Sequence, residues 1–448
     1  MSIAKTGKGG ILLPGYLLPF IMVTILFFMW GIPNNLNGVL IKQFMKSMEI
    51  SRFQAGLIQS AFYLGYFVLA VPAGILMRSY SYKTGFICGL MLYSLGCFLF
   101  WPAAINGKYG FFLFALFVIA SGLAFLETGA NPFIALMGNP ESSEQRLNFS
   151  QAFNPIGSVT GVLIGTIFIF SGIEPDETQI AAMKLSGEYG AFLQHETMRV
   201  IKPYLGLALF AITWAIIMMK IKFPKFDTEL KSENESKGSF EDLLHFPNFW
   251  KGVLAQFFYV GAQVGTWSYF IPYVQDYTGQ PEKVAGYFLT GTLVAFGIGR
   301  FSATWFMRFI QPNRLMGLYS SINIILVGLS ILIPGWIGMW AIFLTSFFMS
   351  LMYPTIFAIS IKDLGENTKI GGSVLVMAII GGALCTPLMG YIAEKTDSMA
   401  IAMTVPLVAY LYVAWYSFRG SIGAVDKVSF LHYTPKSPRG NLLKSNKL

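Results

Sequence analysis

Apolar residues run in long blocks along the chain, and nearly all of the charge is gathered into the short segments between them. An α-helix needs about 20 such residues to cross about 30 Å of hydrocarbon. On that measure the pattern predicts twelve spans, at 16–40, 54–77, 86–104, 109–137, 150–170, 201–221, 249–274, 284–307, 314–335, 337–361, 370–393 and 399–418. Two longer polar segments interrupt the series. One, 171–199, is rich in Asp and Glu; the other, 223–248, has the Lys-, Glu- and Ser-rich composition of a disordered linker. The linker divides the spans six and six. The expected architecture is an all-α membrane protein: an N-terminal half at 1–222, a linker at 223–248, a C-terminal half at 249–418 and a basic tail at 419–448. A weak internal echo supports two related halves. The stretch 62–89 and the stretch 288–317 each read as a Gly-rich helix, a short basic turn and a second helix.

Composition sharpens this picture. Only 12% of the 448 residues are charged and 54% are hydrophobic, whereas roughly a quarter would be charged in a soluble domain. Taken with the spans, 22 of the 31 Lys and Arg fall on the face that holds both termini and the linker. That bias marks the face as cytoplasmic. The net charge of +9 is thus a topology signal, and a nucleic-acid partner is not expected. Lys5 and Lys8 precede an apolar run that no small-residue cleavage site follows, so the run is expected to remain as the first span. The three cysteines, Cys88, Cys97 and Cys385, lie inside apolar blocks with neither metal nor disulfide spacing.

Of the 22 acidic residues, only Glu127 sits deep inside a predicted span. A charge at membrane depth is costly, which makes it a functional candidate, able to take up and release a proton as its hydration changes. A carboxylate also accepts well from sugar hydroxyls. A permanently bonded structural Glu is the competing reading. Amides are the next candidates: Asn34, Asn35 and Asn37 in span 1, Asn131 one turn beyond Glu127 on the same face, and Gln151 with Asn154 in span 5. In span 7, Gln256, Tyr259, Gln263 and Trp267 recur at three- and four-residue spacing as one polar-aromatic stripe. Amides that donate and accept, with aromatic faces to cover ring C–H surfaces, are what binding a polyol requires. Interhelical glue is the alternative for any one amide, worth about 0.6–2 kcal/mol. Arg300, inside the cytoplasmic end of span 8, reads as a gating or structural group. The three histidines lie in loops, and there is no phosphate loop, metal cluster or nucleophile elbow, so an enzyme is not expected.

The segments WGIPNNLN, FQAGLIQSAFYLGYF, PAGILM, LETGANPF, RLNFSQAFNPIG, LAQFFYVGAQVGTWSY, YPTIFAISIKDLG and IIGGALCTPLMG closely resemble the bacterial L-fucose:proton symporter family, in the fucose–galactose–glucose branch of the major facilitator superfamily. The resemblance runs from about Leu17 to about Tyr391. It implies a monomeric, multi-pass carrier of the bacterial inner membrane that imports a monosaccharide by alternating access, without a cofactor. It also implies that Glu127 binds sugar and couples protons, and that Asn35, Gln151, Asn154, Gln256, Tyr259 and Gln263 line the cavity with Tyr353 beside it. One departure matters. The family's span-1 motif ends in an Asp central to proton coupling, and Gly38 stands there. Three outcomes stay open: coupling through Glu127 alone, sodium held near Glu127 and Gly38 with help from Asn34 and Asn37, or an uncoupled uniporter. A membrane sugar sensor that no longer transports is the rival of a different class.

Overall fold

The computed structural model describes residues 15–138, 146, 149–223, 240–307, 309–361, 364 and 367–420. Most of the linker (224–239), most of the tail (421–448), Lys5, Lys8, Arg308 and Lys362 lie outside them.

Twelve helical spans follow in order. The first half holds α1 (Leu17–Ser47), α2 (Arg52–Ser79), α3 (Tyr82–Asn106), α4 (Tyr109–Leu136), α5 (Phe153–Ile164, continuing as π-helical Gly165–Ile169) and α6 (Tyr189–Lys220). The second holds α7 (Pro247–Ser268, broken at Tyr269 and resumed over Phe270–Thr278), α8 (Glu282–Phe306), α9 (Pro312–Leu332) and α10 (Trp336–Ile361). It closes with α11 (Thr368–Met377 and Ile380–Thr396) and α12 (Met399–Gly420). Among the described residues, eleven of these helices are long and apolar enough to cross a membrane by composition alone. The exception is α7, where Lys251, Gln256, Tyr259 and Gln263 dilute the hydropathy. It is nonetheless enclosed by α10, α11 and α12, so its polar groups face protein and not lipid.

Two boundaries differ from those read in the sequence. α1 runs on to Ser47, past the predicted end at 40, because Lys42, Gln43 and Lys46 stop the apolar run without stopping the helix. The acidic segment 171–199 is largely helical: Glu177–Ser186, opened by an Asp176–Gln179 capping box, and Tyr189–Met198, the first part of α6.

Small residues set the closest helix crossings. Gly31, Gly157 and Gly161 bring α1 and α5 together so tightly that a Cβ on Gly157 would meet the Phe28 carbonyl, and one on Gly161 the Ile32 carbonyl. The C-terminal half repeats the device where Gly381 of α11 lies on the Phe257 carbonyl of α7. The halves meet along α2 and α11, α5 and α8, and α1 and α7. Ser60 donates to the Ala383 carbonyl (2.6 Å), and Tyr269 to the Arg52 carbonyl (2.6 Å). The Tyr269–Arg52 contact lies at the end of the bundle opposite the linker, at the start of α2, and the Ser60–Ala383 contact lies deeper, near the middle of α11.

Candidate functional site

Between the halves lies a cavity of about 250 Å³. Its N-terminal wall carries Asn34, Asn35 and Gly38 from α1, Gln59, Tyr63 and Tyr66 from α2, Glu127 and Asn131 from α4, and Gln151, Asn154 and Ser158 from around α5. Tyr259, Gln263, Trp267 and Ser268 of α7, Arg300 of α8 and Tyr353 of α10 form the facing wall.

The amides are held by neighbouring groups, which fixes the direction each presents. Asn35 donates to Ser158 Oγ (2.8 Å) and to the Gly31 carbonyl (3.2 Å), bridging α1 and α5 at their closest approach. Gln151 donates to Asn131 Oδ1 (3.3 Å), whose own Nδ2 donates to the Glu127 carbonyl (3.3 Å). Asn154 donates to the Phe27 carbonyl (3.3 Å). Tyr66 donates to Asn34 Oδ1 (3.5 Å) and also interacts with the Glu127 carboxyl. Asn35, Asn131, Gln151 and Asn154 thus donate to the scaffold while Asn34 accepts from it, and each keeps further capacity for the cavity. Aromatic faces complete it: Tyr259 and Tyr353 sit 6.3 Å apart, and Trp267 is held by Ser346 through its indole N–H (2.9 Å).

Eleven of the residues singled out in the sequence therefore line one cavity: Asn34, Asn35, Gly38, Glu127, Asn131, Gln151, Asn154, Tyr259, Gln263, Trp267 and Tyr353. Two sit outside its lining. Gln256 shares a helical face with Gln263, but two turns nearer the linker, where it is fully buried beside Tyr353. Asn37 is also fully buried and donates to Gln59 Oε1 (3.3 Å); Gln59 in turn donates to Ser268 Oγ (2.9 Å) across the halves. Asn37 thus lies behind the lining, joined to it through Gln59. Arg300, read in the sequence as gating or structural, is on the cavity wall with its guanidinium 4.8 Å from the Phe296 ring centre. The α2 contribution was missed, although Gln59, Tyr63 and Tyr66 repeat at the four- and three-residue spacing seen in α7.

An enclosed wall with one carboxyl, one guanidinium and many amides suits a small, neutral, hydroxyl-rich solute. Among the described residues no group of three His, Cys, Asp or Glu could hold a metal ion.

The sequence pattern of the Major Facilitator Superfamily matches residues 19–369, and the chain belongs to that superfamily. By class it is a membrane transporter and not an enzyme. Within that class it is 42% identical over 404 residues to the L-fucose-proton symporter of Escherichia coli (strain K12), covering 89% of this chain and 92% of the relative. It is 34% identical to the glucose/galactose transporter of Brucella abortus biovar 1 (strain 9-941), covering 89% and 93%. The crystal structure of the transporter FucP in the outward conformation superposes with a TM-score of 0.68 at 39% identity, covering 90% of this chain and 98% of that one.

Proposed function

We propose that this protein imports a monosaccharide, L-fucose or a related hexose such as glucose or galactose, in symport with a proton that Glu127 carries. The observation behind this is the position of Glu127, among the described residues the one carboxyl on a cavity wall that also carries amides, aromatics, aliphatic side chains and Arg300. The relatives are an L-fucose-proton symporter and a glucose/galactose transporter, which supports sugar as the substrate and the proton as the coupled ion. Counterflow of radiolabelled L-fucose, glucose and galactose in proteoliposomes tests the substrate. Exchange of none of them, with binding retained, would leave a sensor.

A sodium-coupled variant of the mechanism is favoured by one observation, Gly38. A Cβ built on it would meet Leu289 and the Trp267 carbonyl at 3.4 Å, so there is room for a small side chain but no acid is supplied. Glu127 with neighbouring amide oxygens such as those of Asn34 and Asn131 would then be the oxygen ligands that a hard cation prefers. Gly38→Asp is expected to fold, because its Cβ would meet nothing closer than 3.4 Å, and to make uptake more dependent on an imposed pH gradient. Unchanged responses to pH and sodium in that variant would remove Gly38 from ion choice.

The two halves are proposed as residues 1–222 and 249–418, with both termini and the linker in the cytoplasm of a bacterium, the carrier sitting as a monomer in the inner membrane. The Lys and Arg bias supports this orientation. It places the contact of Tyr269 with Arg52, opposite the linker, at the outer face, as an outer seal between the halves. A cysteine replacing Lys231 should react with an impermeant maleimide only from the cytoplasmic face, and one replacing Lys184 only from the outer face. The reverse pattern would invert the topology.

A further inference from the structure

Three charged side chains from α1, α6 and α8 are withdrawn from solvent at the seal. Lys46 Nζ lies 2.6 Å from Glu196 Oε2 and 2.8 and 2.9 Å from the two oxygens of Glu282. Both carboxyl side chains are fully buried, and Lys46 is 11% exposed. Glu282 Oε1 also accepts from the Gly172 N–H (3.0 Å), and Glu196 Oε2 from Ser171 Oγ (3.0 Å). Lys42 stands close by on α1, and Glu174 ties the same spot to α7 by accepting from Gln275 Nε2 (2.7 Å). A second pair, Arg52 with Asp276 (2.7 Å), spans the seal nearby. None of these groups touches the cavity.

The distribution between halves is the informative part. Lys46, Glu196, Ser171 and Gly172 belong to the N-terminal half, and Glu282 to the C-terminal half. If the halves part here, Lys46 keeps Glu196, and that buried pair stays neutralised. Only Glu282 leaves, and it leaves into water, which solvates a carboxylate well. Opening therefore strands no buried charge, the outcome that makes breaking a buried ion pair so costly. Closing, in turn, delivers Glu282 to an ammonium and a backbone N–H already fixed in place.

We propose that Lys46 and Glu282 form the latch that sets the balance between inward and outward access, with Glu196 holding Lys46 in position on its own half. This rests on the alternating-access reading above and names the residues that regulate it.

The test uses full-length protein in right-side-out vesicles, with Cys88, Cys97 and Cys385 replaced by Ala and a reporter at Leu289→Cys, on the cavity wall against Gly38. An impermeant maleimide added outside reaches that reporter only when the seal opens. Glu282→Gln and Lys46→Met are expected to raise the labelling rate at least tenfold. Glu196→Gln, which cuts a contact within one half, should raise it less than threefold. The swap Lys46→Glu with Glu282→Lys keeps one cation between two carboxylates and should return labelling towards the parent rate, which also shows that the variants fold. The latch is wrong if Glu282→Gln and Lys46→Met label like the parent, if Glu196→Gln matches Glu282→Gln, or if the swap rescues nothing. Sugar counterflow on the same variants separates the two proposals: faster labelling without any exchange keeps the latch and removes the transport reading.

Discussion

Glu127→Gln should abolish accumulation of sugar against its gradient while leaving exchange across the membrane. The amide keeps the size of the carboxyl and its carbonyl acceptor but can neither take up nor release a proton, so net import loses its link to the proton gradient. Exchange needs no net proton movement and should persist. The cost to binding is limited. With the proton aboard, the carboxyl that meets the sugar is neutral, so the amide replaces one neutral hydrogen bond of about 1 kcal/mol by another, and apparent affinity should fall by less than about tenfold. Measured in proteoliposomes, the accumulation ratio should fall to one while counterflow survives at raised sugar concentration. Full concentrative uptake by this variant would take Glu127 out of the coupling mechanism. Loss of both uptake and counterflow in a well-folded variant would make it a binding residue first.

The second large effect is structural. Gly157→Val should prevent the N-terminal half from closing, because its Cβ would occupy the place of the Phe28 carbonyl, backbone that cannot rotate away. Overpacking usually costs about 1–3 kcal/mol, and here a rigid helix must move over its whole length, so the cost lies at or above that range. Asn35, Asn154 and Ser158 are held across the same crossing and would lose their registry. Gly206 on α6 is the control, since a Cβ there meets nothing within 4 Å. Gly206→Ala should keep or slightly raise the melting temperature, and Gly157→Val should lose the monodisperse peak in detergent. A monodisperse Gly157→Val protein with parental melting would mean that the α1–α5 contact is looser than described.

Much of this was legible in the sequence because lipid imposes a simple rule. A span must satisfy its backbone internally and hide its polar side chains, so a lone acid such as Glu127 or a polar stripe such as Gln263 and Trp267 stands out against an apolar background. The same contrast failed where helices continue beyond the hydrocarbon. Lys46, Glu196 and Glu282 read as loop acids and bases near span ends, and only the packing of α1, α6 and α8 shows that they are buried together. Gln256 failed differently. Its helical face was read correctly, but periodicity says nothing of depth along the helix, and at its level Tyr353 of another helix covers it. Arg300 illustrates the converse. A long basic side chain near a span end usually reaches for water, and this one turns onto the cavity wall instead.

If Glu127 couples sugar import to protons, uptake of L-fucose, glucose and galactose into proteoliposomes under separately imposed pH and sodium gradients will follow the proton. An inward proton gradient alone should drive at least one sugar above equilibrium, a protonophore should abolish the effect, and sodium should change nothing. Accumulation driven by sodium alone, or simple equilibration under both gradients, would contradict it.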